Sequence, residues 1–265
     1  MSIHPTAIVD SSAVVGDVEI GPYAVVGAGV SLADGVKIGP HAVIHGETSM
    51  GEGNIVHAHA VIGGDPQDLK YEGGNTRLEI GKNNTFREFV TISRGTEHGG
   101  GVTSIGDNNL FMACAHVGHD ARIGSHCVFA NSVALAGHVL VHDHAILGGM
   151  AGVHQFSRIG RYAMVGAGAM AAQDVPPFTI AQGDRARLFG LNIIGLRRGG
   201  FDNETISLLR NAYRELFSKG APLRIALERV RESHGSVSEV QELIGFIDGS
   251  KRGLCRASGP EVATD

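Results

Sequence analysis

The chain has 265 residues, enough for one large domain or for one large and one small domain. Its 39 glycines, its lack of tryptophan and its low charged fraction of 18% favour turns and extended segments over helices. The net charge is −5, with acidic residues in excess up to position 179 and basic residues in excess from 180 to 256. No stretch is apolar enough to span a membrane, and three cysteines without a CxxC pair argue against a disulfide framework, so we expect a cytoplasmic protein without a transmembrane segment.

An aliphatic or aromatic residue recurs at every sixth position through two thirds of the chain. The run is unbroken from Ile8 and Val14 to Ile62, and after an interruption it continues between Ile105 and Val165. A small residue usually lies two positions earlier, and glycine often follows directly. A period of six fits neither a helix nor an alternating strand. It predicts a β-helix, in which each hexad supplies one short flat side and stacked sides pair as parallel strands.

Two segments interrupt the repeat, at residues 63–79 and 93–104. Both are polar and rich in glycine, and the first contains Pro66. Long excursions from a regular scaffold often carry binding residues, although plain surface insertions are the alternative.

The repeat ends near Pro176–Pro177, because consecutive prolines cannot continue a sheet ladder. Helical spacing follows from Ile206, after a candidate N-cap at Asp202 and up to a helix stop at Gly220. Two further helical patterns follow before residue 250. We therefore predict a β-helix domain over residues 1–189, a helical domain over 190–250 and a flexible tail over 251–265.

Fourteen histidines raise the possibility of a metal site. The γ-class carbonic anhydrases share the β-helix and bind zinc through histidines, two of them five apart in one chain. No two histidines here are five apart, and there is no HExxH motif. We therefore predict no metal and no cofactor.

The adjacent pair His119–Asp120 is a candidate for general-base chemistry. Relative to the repeating Val117, both residues occupy positions that point away from the core. A carboxylate can fix the tautomer of a neighbouring imidazole and stabilise its protonated form. Taken alone, such a pair is more often an ordinary surface feature.

Coil stacking adds a second observation. If three hexads form one coil, Gly137 lies one strand spacing from His119, and His138 lies one spacing from Asp120. Gly137 has no side chain, so its backbone N–H could stabilise an oxyanion beside the base. This arrangement is the minimum required for acyl transfer.

The repeat resembles that of the hexapeptide-repeat acyltransferases, whose three-sided parallel β-helix is left-handed. Within them, nearly the whole chain is similar to the UDP-N-acetylglucosamine acyltransferases that begin lipid A synthesis. The segments that carry this similarity are DLKY (68–71), RGT (94–96), AHVGHD (115–120), LAGHV (135–139), GGMAGVHQF (148–156), AQDVPPFTIAQG (172–183) and NIIGLRR (192–198).

The resemblance implies roles for individual residues. His119 corresponds to the base that deprotonates the sugar 3-hydroxyl, Asp120 to the group that orients it and Gly137 to the oxyanion donor. The implied substrate contacts are Gln67, Asp68, Lys70, His116, His138, His154, Gln155, Asn192 and Arg198. His116 and His154 could instead fill corners of the three-sided β-helix, called the prism below. Lys70 and Arg198 could be solvated charges.

Three departures from the family pattern concern the region expected to bind the nucleotide. Ser93 replaces a histidine before RGT, Ile194 replaces an acidic residue, and Gly199 replaces a second arginine. In the family, the residue matching Ala167 sets the acyl-chain length, and its small size would admit a longer chain. Met170 lies close enough in sequence to reverse that inference.

The resemblance also implies partners. The expected assembly is a homotrimer with sites between subunits, the acyl donor is a 3-hydroxyacyl group on acyl carrier protein, and the acceptor is UDP-N-acetylglucosamine. The basic region after residue 180 suits an acidic carrier protein. No nucleic acid is expected as a partner. The alternatives are N-acylation of a 3-amino sugar nucleotide, a γ-carbonic-anhydrase-like metalloenzyme and a non-catalytic β-helix scaffold.

Overall fold

The computed structural model describes residues 1–217 and 221–257, and most of the chain forms a three-sided parallel β-helix. Each coil contributes one short strand to each of three sheets. The first sheet contains Ser2–Ile3, Glu19–Ile20, Lys37–Ile38, Ile55–Val56, Thr85–Phe86, Leu110–Phe111, Val128–Phe129, Ile146–Leu147, Met164–Val165, Thr179–Gln182 and Arg187–Leu191. The second contains Ile8–Val9, Val25–Val26, Val43–Ile44, Val61–Gly64, Thr91–Ser93, His116–Val117, Ala134–Leu135, Gly152–Val153 and Met170–Ala171. The third contains Val14–Val15, Ser31–Leu32, Glu47–Met50, Arg77–Ile80, Val102–Ile105, Arg122–Ile123, Leu140–Val141 and Arg158–Ile159.

The repeating residues form the core of the prism. Val117 pairs with Leu135, eighteen residues later, and both are fully buried. In the core under the first sheet, the rings of Phe86, Phe111 and Phe129 stack at centroid distances of 5.0 and 4.5 Å. The second residue of each two-residue strand therefore points inward, and the first points outward.

The first coil departs from the predicted phase. Ile8 and Val14 are 65% and 67% exposed, whereas Val9 and Val15 pack against the core. The register explains this difference, because Val9 pairs with Val26, seventeen residues later. One residue fewer in this coil shifts the inward position by one. Each of these strands holds two adjacent aliphatic residues, so the sequence pattern alone does not decide which of the two points into the core.

The β-helix also continues past the paired prolines. Val175 forms a parallel bridge with Ile159, and Thr179–Gln182 pairs in parallel with Met164–Val165. Pro176 and Pro177 lie at the corner between these two sides, where no ladder hydrogen bond is required. The hexad pattern in the sequence ends at the prolines, but the first sheet continues to Leu191, close to the domain boundary predicted at residue 189.

The two interruptions are loops that leave the register intact. Ile80 pairs with Met50 thirty residues earlier instead of eighteen, and Ile105 pairs with Ile80. The second loop contains a short 3₁₀ helix at Glu97–Gly99. The buried Arg94 joins the loops, because its guanidinium donates to Asp65 at 2.5 Å and to the Tyr71 hydroxyl at 3.1 Å.

Four helices follow the strands. They are α1 (Ile193–Arg198), α2 (Asn203–Phe217), α3 (Leu223–His234) and α4 (Ser238–Asp248). Asp202 acts as the predicted cap, since its side chain accepts a hydrogen bond from the Thr205 N–H at 2.7 Å. No helix in residues 1–217 and 221–257 is long and apolar enough to cross a membrane. The expected helix stop at Gly220 lies outside the described residues.

The structure differs from the predicted flexible tail over residues 251–257. Leu254 forms a parallel bridge with Asp174 and Ala257 with Leu188, and Cys255 is buried. This segment adds backbone hydrogen bonds at the end of the prism, which holds it in place. The remainder of the predicted tail, residues 258–265, lies outside the described residues.

The phase of the first coil can be tested with a matched pair of variants. We expect Val9→Ser to lower the free energy of unfolding by about 1 kcal/mol, because a partly buried aliphatic side chain is replaced by a polar one. Ile8→Ser should leave it unchanged within roughly 0.5 kcal/mol, since that side chain is exposed. Thermal or denaturant unfolding of both variants measures the difference, and the reverse order would contradict the observed phase.

Candidate active site

A groove of about 560 Å³ runs along the outward face of the second sheet. Its floor is formed by the outward residues of four successive strands, namely His116, Ala134, Gly152 and Met170. The two small residues in the middle leave room for a ligand between the larger ones. One wall consists of the residues that follow these strands, among them Gly118, His119, Ala136, Gly137, His154 and Gln155.

His119 is hydrogen bonded to a buried carboxylate. Its Nδ1 lies 2.8 Å from Oδ2 of Asp120. Asp120 is only 5% exposed and also accepts hydrogen bonds from the Thr96 N–H at 3.0 Å and the Thr96 hydroxyl at 2.6 Å. A carboxylate oxygen that accepts these hydrogen bonds also accepts from His119, so the proton of the neutral imidazole is assigned to Nδ1. The Nε2 lone pair of His119 is then available to accept a proton from a bound molecule.

Gly137 lies one coil beyond His119, beside its imidazole ring. A Cβ atom at this position would come within 2.5 Å of Cε1 and 2.6 Å of Nε2 of His119, so any side chain here would force the imidazole to move. The Gly137 N–H donates to no acceptor within residues 1–217 and 221–257. The structure therefore brings an available backbone donor next to the potential base.

The two loops converge on the same histidine. Asp68 Oδ2 lies 4.0 Å from Nε2 of His119 and 3.1 Å from Nε2 of His98. The Lys70 N–H donates to the Asp68 carboxylate at 3.0 Å and is the main reason that the pKa of Asp68 is lowered. Gln67 lines the groove, whereas the exposed side chain of Lys70 does not.

His116 and His138 flank this centre. His116 Nδ1 lies 2.8 Å from the Thr91 hydroxyl oxygen. Burial is the main cause of the lowered pKa of His116, and the nearby His119 lowers it further. His138 Nε2 lies 3.7 Å from Asp120 Oδ2. Burial lowers the pKa of His138, while Asp120 partly opposes that shift. Both imidazoles are therefore expected to be neutral at pH 7.

Residues predicted to determine acyl-chain length occupy different places. Met170 lies on the floor of the groove, and a Cβ on Gly152 would come within 2.7 Å of its sulfur. Ala167 is exposed at the preceding corner and does not line the groove. Within one chain, Met170 is therefore the side chain in a position to limit the length of a bound ligand.

Two predicted nucleotide contacts lie away from this groove. Asn192 is buried and caps α1, since its Oδ1 accepts from the Gly195 N–H at 3.1 Å and its Nδ2 donates to the Tyr162 carbonyl at 3.0 Å. Arg198 is exposed near the end of α1. A Cβ on Gly199 would come within 2.5 Å of the Tyr162 ring, so a larger residue at position 199 would require that ring to move.

Several residues at the site were not identified by the sequence analysis. Thr96 holds Asp120, and the Asp120 N–H donates to the hydroxyl of Thr103 at 2.8 Å. His98 contacts Asp68 from the second loop. Thr96 belongs to the RGT segment, which was a usable signal, but no periodic relation links Thr103 or His98 to His119.

His119, Asp120 and His138 are the only group of three or more potential metal ligands that the structure brings together within residues 1–217 and 221–257. Their ligand atoms lie within 4.8 Å of one another. However, Asp120 already accepts hydrogen bonds from Thr96 and from His119. Those contacts favour a role in orienting the imidazole over one in holding an ion.

The chain matches two family models. Residues 174–255 match the model described as UDP N-acetylglucosamine O-acyltransferase, domain 2, and residues 103–137 match that of the bacterial transferase hexapeptide repeats. The acyl-[acyl-carrier-protein]–UDP-N-acetylglucosamine O-acyltransferase of Anaeromyxobacter dehalogenans is 51% identical over 257 residues, covering 97% of this chain and 100% of the relative. That of Xylella fastidiosa is 47% identical over 256 residues, covering 96% and 97%.

Solved structures agree with these matches. The UDP-N-acetylglucosamine acyltransferase of Francisella novicida superposes with a TM-score of 0.94 at 36% identity, covering 97% of this chain and 95% of that one. The enzyme from Bacteroides fragilis gives a TM-score of 0.94 at 41% identity, covering 96% and 100%. The predicted fold class, a left-handed parallel β-helix followed by C-terminal helices, is confirmed.

The close approach of Gly137 to His119 predicts the effect of adding one methyl group. Gly137→Ala should lower kcat/KM about 100-fold, because the new Cβ displaces the imidazole from its position against Asp120. Gly245→Ala in α4 is the control, because a Cβ there meets no atom within 4 Å outside the backbone of its own helix. Steady-state kinetics of both variants measure the effect, and equal activities would contradict this account.

Proposed function

The chain belongs to the family of acyl-[acyl-carrier-protein]–UDP-N-acetylglucosamine O-acyltransferases, and we propose that His119 is the general base of its reaction. The proposed reaction transfers a 3-hydroxyacyl group from acyl carrier protein to the 3-hydroxyl of UDP-N-acetylglucosamine, the first step of lipid A synthesis. The observation that carries the proposal is the chain of hydrogen bonds from Thr96 through Asp120 to His119, beside the N–H of Gly137.

The first step begins at Nε2 of His119. Asp120 accepts a hydrogen bond from the Nδ1–H of His119, so Nε2 is the basic nitrogen and faces the groove. It removes the proton of the sugar 3-hydroxyl while the hydroxyl oxygen attacks the thioester carbonyl carbon. The imidazolium that forms lies between the carboxylates of Asp120 and Asp68, whose nearest oxygens are 2.8 and 4.0 Å from its nitrogens. Their negative charge stabilises the protonated ring.

The second step resolves the tetrahedral intermediate. The carbonyl oxygen becomes an oxyanion, for which the Gly137 N–H is the proposed donor. As the carbon–oxygen double bond reforms, the carbon–sulfur bond breaks and the thiol of the carrier leaves, taking the proton that His119 received. The products are the O-acylated sugar nucleotide and the free carrier thiol, and His119 is neutral again.

The proposal extends to the positions of the substrates. Gln67, Asp68, Lys70 and His116 are proposed to contact the sugar and the thioester arm, with His138, His154 and Gln155 along the same wall. Met170, on the floor of the groove, is proposed to limit the acyl chain in preference to Ala167. Arg198 is proposed to reach the nucleotide from a neighbouring subunit, and Asn192, predicted to do the same, is buried and is instead proposed to hold α1 in place by capping it.

The carrier protein is proposed to dock on the basic region after residue 180. Arg185, Arg187, Arg197 and Lys251 are exposed there. Cationic side chains attract an acidic partner and raise its association rate.

We further infer that the reaction takes place in the cytoplasm, because three unpaired cysteines are typical of a reducing compartment.

The activity and the base are tested together. Purified protein should convert 3-hydroxyacyl carrier protein and UDP-N-acetylglucosamine into an ester-linked product, detected by mass spectrometry. His119→Ala should lower kcat by a factor of roughly 100 to 10,000, because general-base assistance is lost. His126→Asn, an exposed histidine on another corner, is the control and should retain full activity.

Two outcomes would contradict this proposal. Full activity of His119→Ala would exclude His119 as the base. Preferential acylation of a 3-amino sugar nucleotide in a competition assay would favour the alternative acceptor.

We propose that three copies assemble around the corner between the first and second sheets. Tyr23, Phe89 and Met150 lie on that corner and are 58%, 56% and 66% exposed. Large apolar side chains aligned on one edge are typical of a surface that another chain covers. A neighbouring subunit placed there would also close the open groove of the second sheet.

The assembly predicts a particle of about three times the 27.7 kDa chain mass by sedimentation equilibrium. Replacing Phe89 and Met150 together by glutamate should produce monomers and lower the activity at least tenfold, because burying two carboxylates at an apolar contact is unfavourable. A wild-type monomer with full activity would contradict the proposed assembly.

A further inference from the structure

The segment after α4 is fixed across the end of the prism. The Ser250 hydroxyl donates to Asp174 Oδ2 at 2.8 Å. The Asp174 N–H donates to the Gly253 carbonyl and the Cys255 N–H to the Asp174 carbonyl, each at 2.9 Å. Asp174 therefore anchors the segment on both sides of Arg252, without using the side chain of Arg252 itself.

This anchoring brings Arg252 to the wall of the groove. Its Nε donates to the Ala172 carbonyl at 2.8 Å, and its Nη2 lies 2.8 Å from Nδ1 of His154. Two contacts of one planar guanidinium, to successive coils, fix its orientation. Arg252 belongs to none of the segments on which the family resemblance was based.

The contact determines where His154 carries its proton. A guanidinium is always charged and has only donors, so Nδ1 of His154 must act as an acceptor. The Gln155 carbonyl oxygen lies 3.2 Å from the same Nδ1 and would require the opposite tautomer. The shorter, charge-assisted contact with Arg252 is the stronger of the two. The proton of a neutral His154 is then on Nε2.

We propose that Arg252 is a positioning residue that holds His154 as its Nε2–H tautomer, a hydrogen-bond donor toward the groove. The ligand atom that it would meet is an acceptor oxygen of the bound substrate, a carbonyl or a phosphoryl oxygen. This inference rests on the proposed function, in which His154 contacts the substrate.

The two histidines of the wall thus have opposite tautomers. Asp120 accepts from Nδ1 of His119 and leaves Nε2 as a base, whereas Arg252 donates to Nδ1 of His154 and leaves Nε2 as a donor. A carboxylate bound at Nδ1 leaves the histidine as a base, whereas a guanidinium bound at Nδ1 leaves it as a hydrogen-bond donor. His154 is therefore unsuited to replace His119 as the base while Arg252 is bound to it.

The tautomer is measured by two-bond ¹⁵N–¹H correlation spectra of the full-length enzyme labelled at histidine. His154→Gln identifies the resonances of His154. The expected wild-type spectrum is that of a neutral ring protonated on Nε2. Arg252→Met should shift the population toward the Nδ1–H form, because the Gln155 carbonyl becomes the remaining partner. Arg252→Lys retains a cationic donor and should preserve the wild-type tautomer.

Kinetics supply the second measurement. Arg252→Met should raise KM for substrate roughly tenfold, the loss expected for one charge-assisted contact, with little change in kcat. In the His154→Gln background the same substitution should have no further effect. Lys37→Met is the control, because Lys37 is an exposed cation that pairs with Glu19 on the first sheet and lies outside the proposed binding surfaces, and it should behave as wild type.

Each result bears on a separate claim. A wild-type His154 protonated on Nδ1, or an Arg252→Met effect of equal size with and without His154, would overturn the positioning role. Absence of acyl transfer by the wild-type enzyme would refute the proposed function, while the spectra would still establish which nitrogen Arg252 leaves protonated.

Discussion

Hydrogen bonds between successive coils fix the positions of residues in the β-helix. The N–H of His116 donates to the Val133 carbonyl at 2.8 Å, and the N–H of Gly118 donates to the Leu135 carbonyl at 2.9 Å. Such bonds hold neighbouring coils at one strand spacing, so residues one coil apart are always in contact. The groove, the base and the proposed oxyanion donor all depend on that spacing, because each is built from residues of adjacent coils.

The same regularity made much of the architecture predictable from sequence. The six-residue period predicted the buried ladders, both loops and the contact of Gly137 with His119. It failed where the local pattern was ambiguous, as at Ile8 and Val9, either of which could face the core. The pattern is lost at Pro176–Pro177, yet the strands continue beyond them, since these prolines interrupt no ladder hydrogen bond at their corner. Burial of the whole coil decides such positions, and no short window of sequence contains that information.

The supporting residues of the site were harder to predict because they come from outside the repeat. Thr96 and His98 reach the centre from the second loop, and Arg252 from the segment after α4. Neither loop conformation nor the path of the last segment follows from a period of six. Charge and residue type drew attention to His119 and Asp120, but the groups that form hydrogen bonds with them are defined only by tertiary contacts.

The contact between Arg252 and His154 spans 98 residues of sequence. Coils of a parallel β-helix contact only their neighbours, so they can wind in order while the ribosome is still extending the chain. His154 can therefore take its place in the β-helix before Arg252 has been synthesised. A chain translated only up to the last coil would have a folded β-helix whose groove wall lacks Arg252. Synthesis of the last segment would then supply the contact that sets the tautomer of His154.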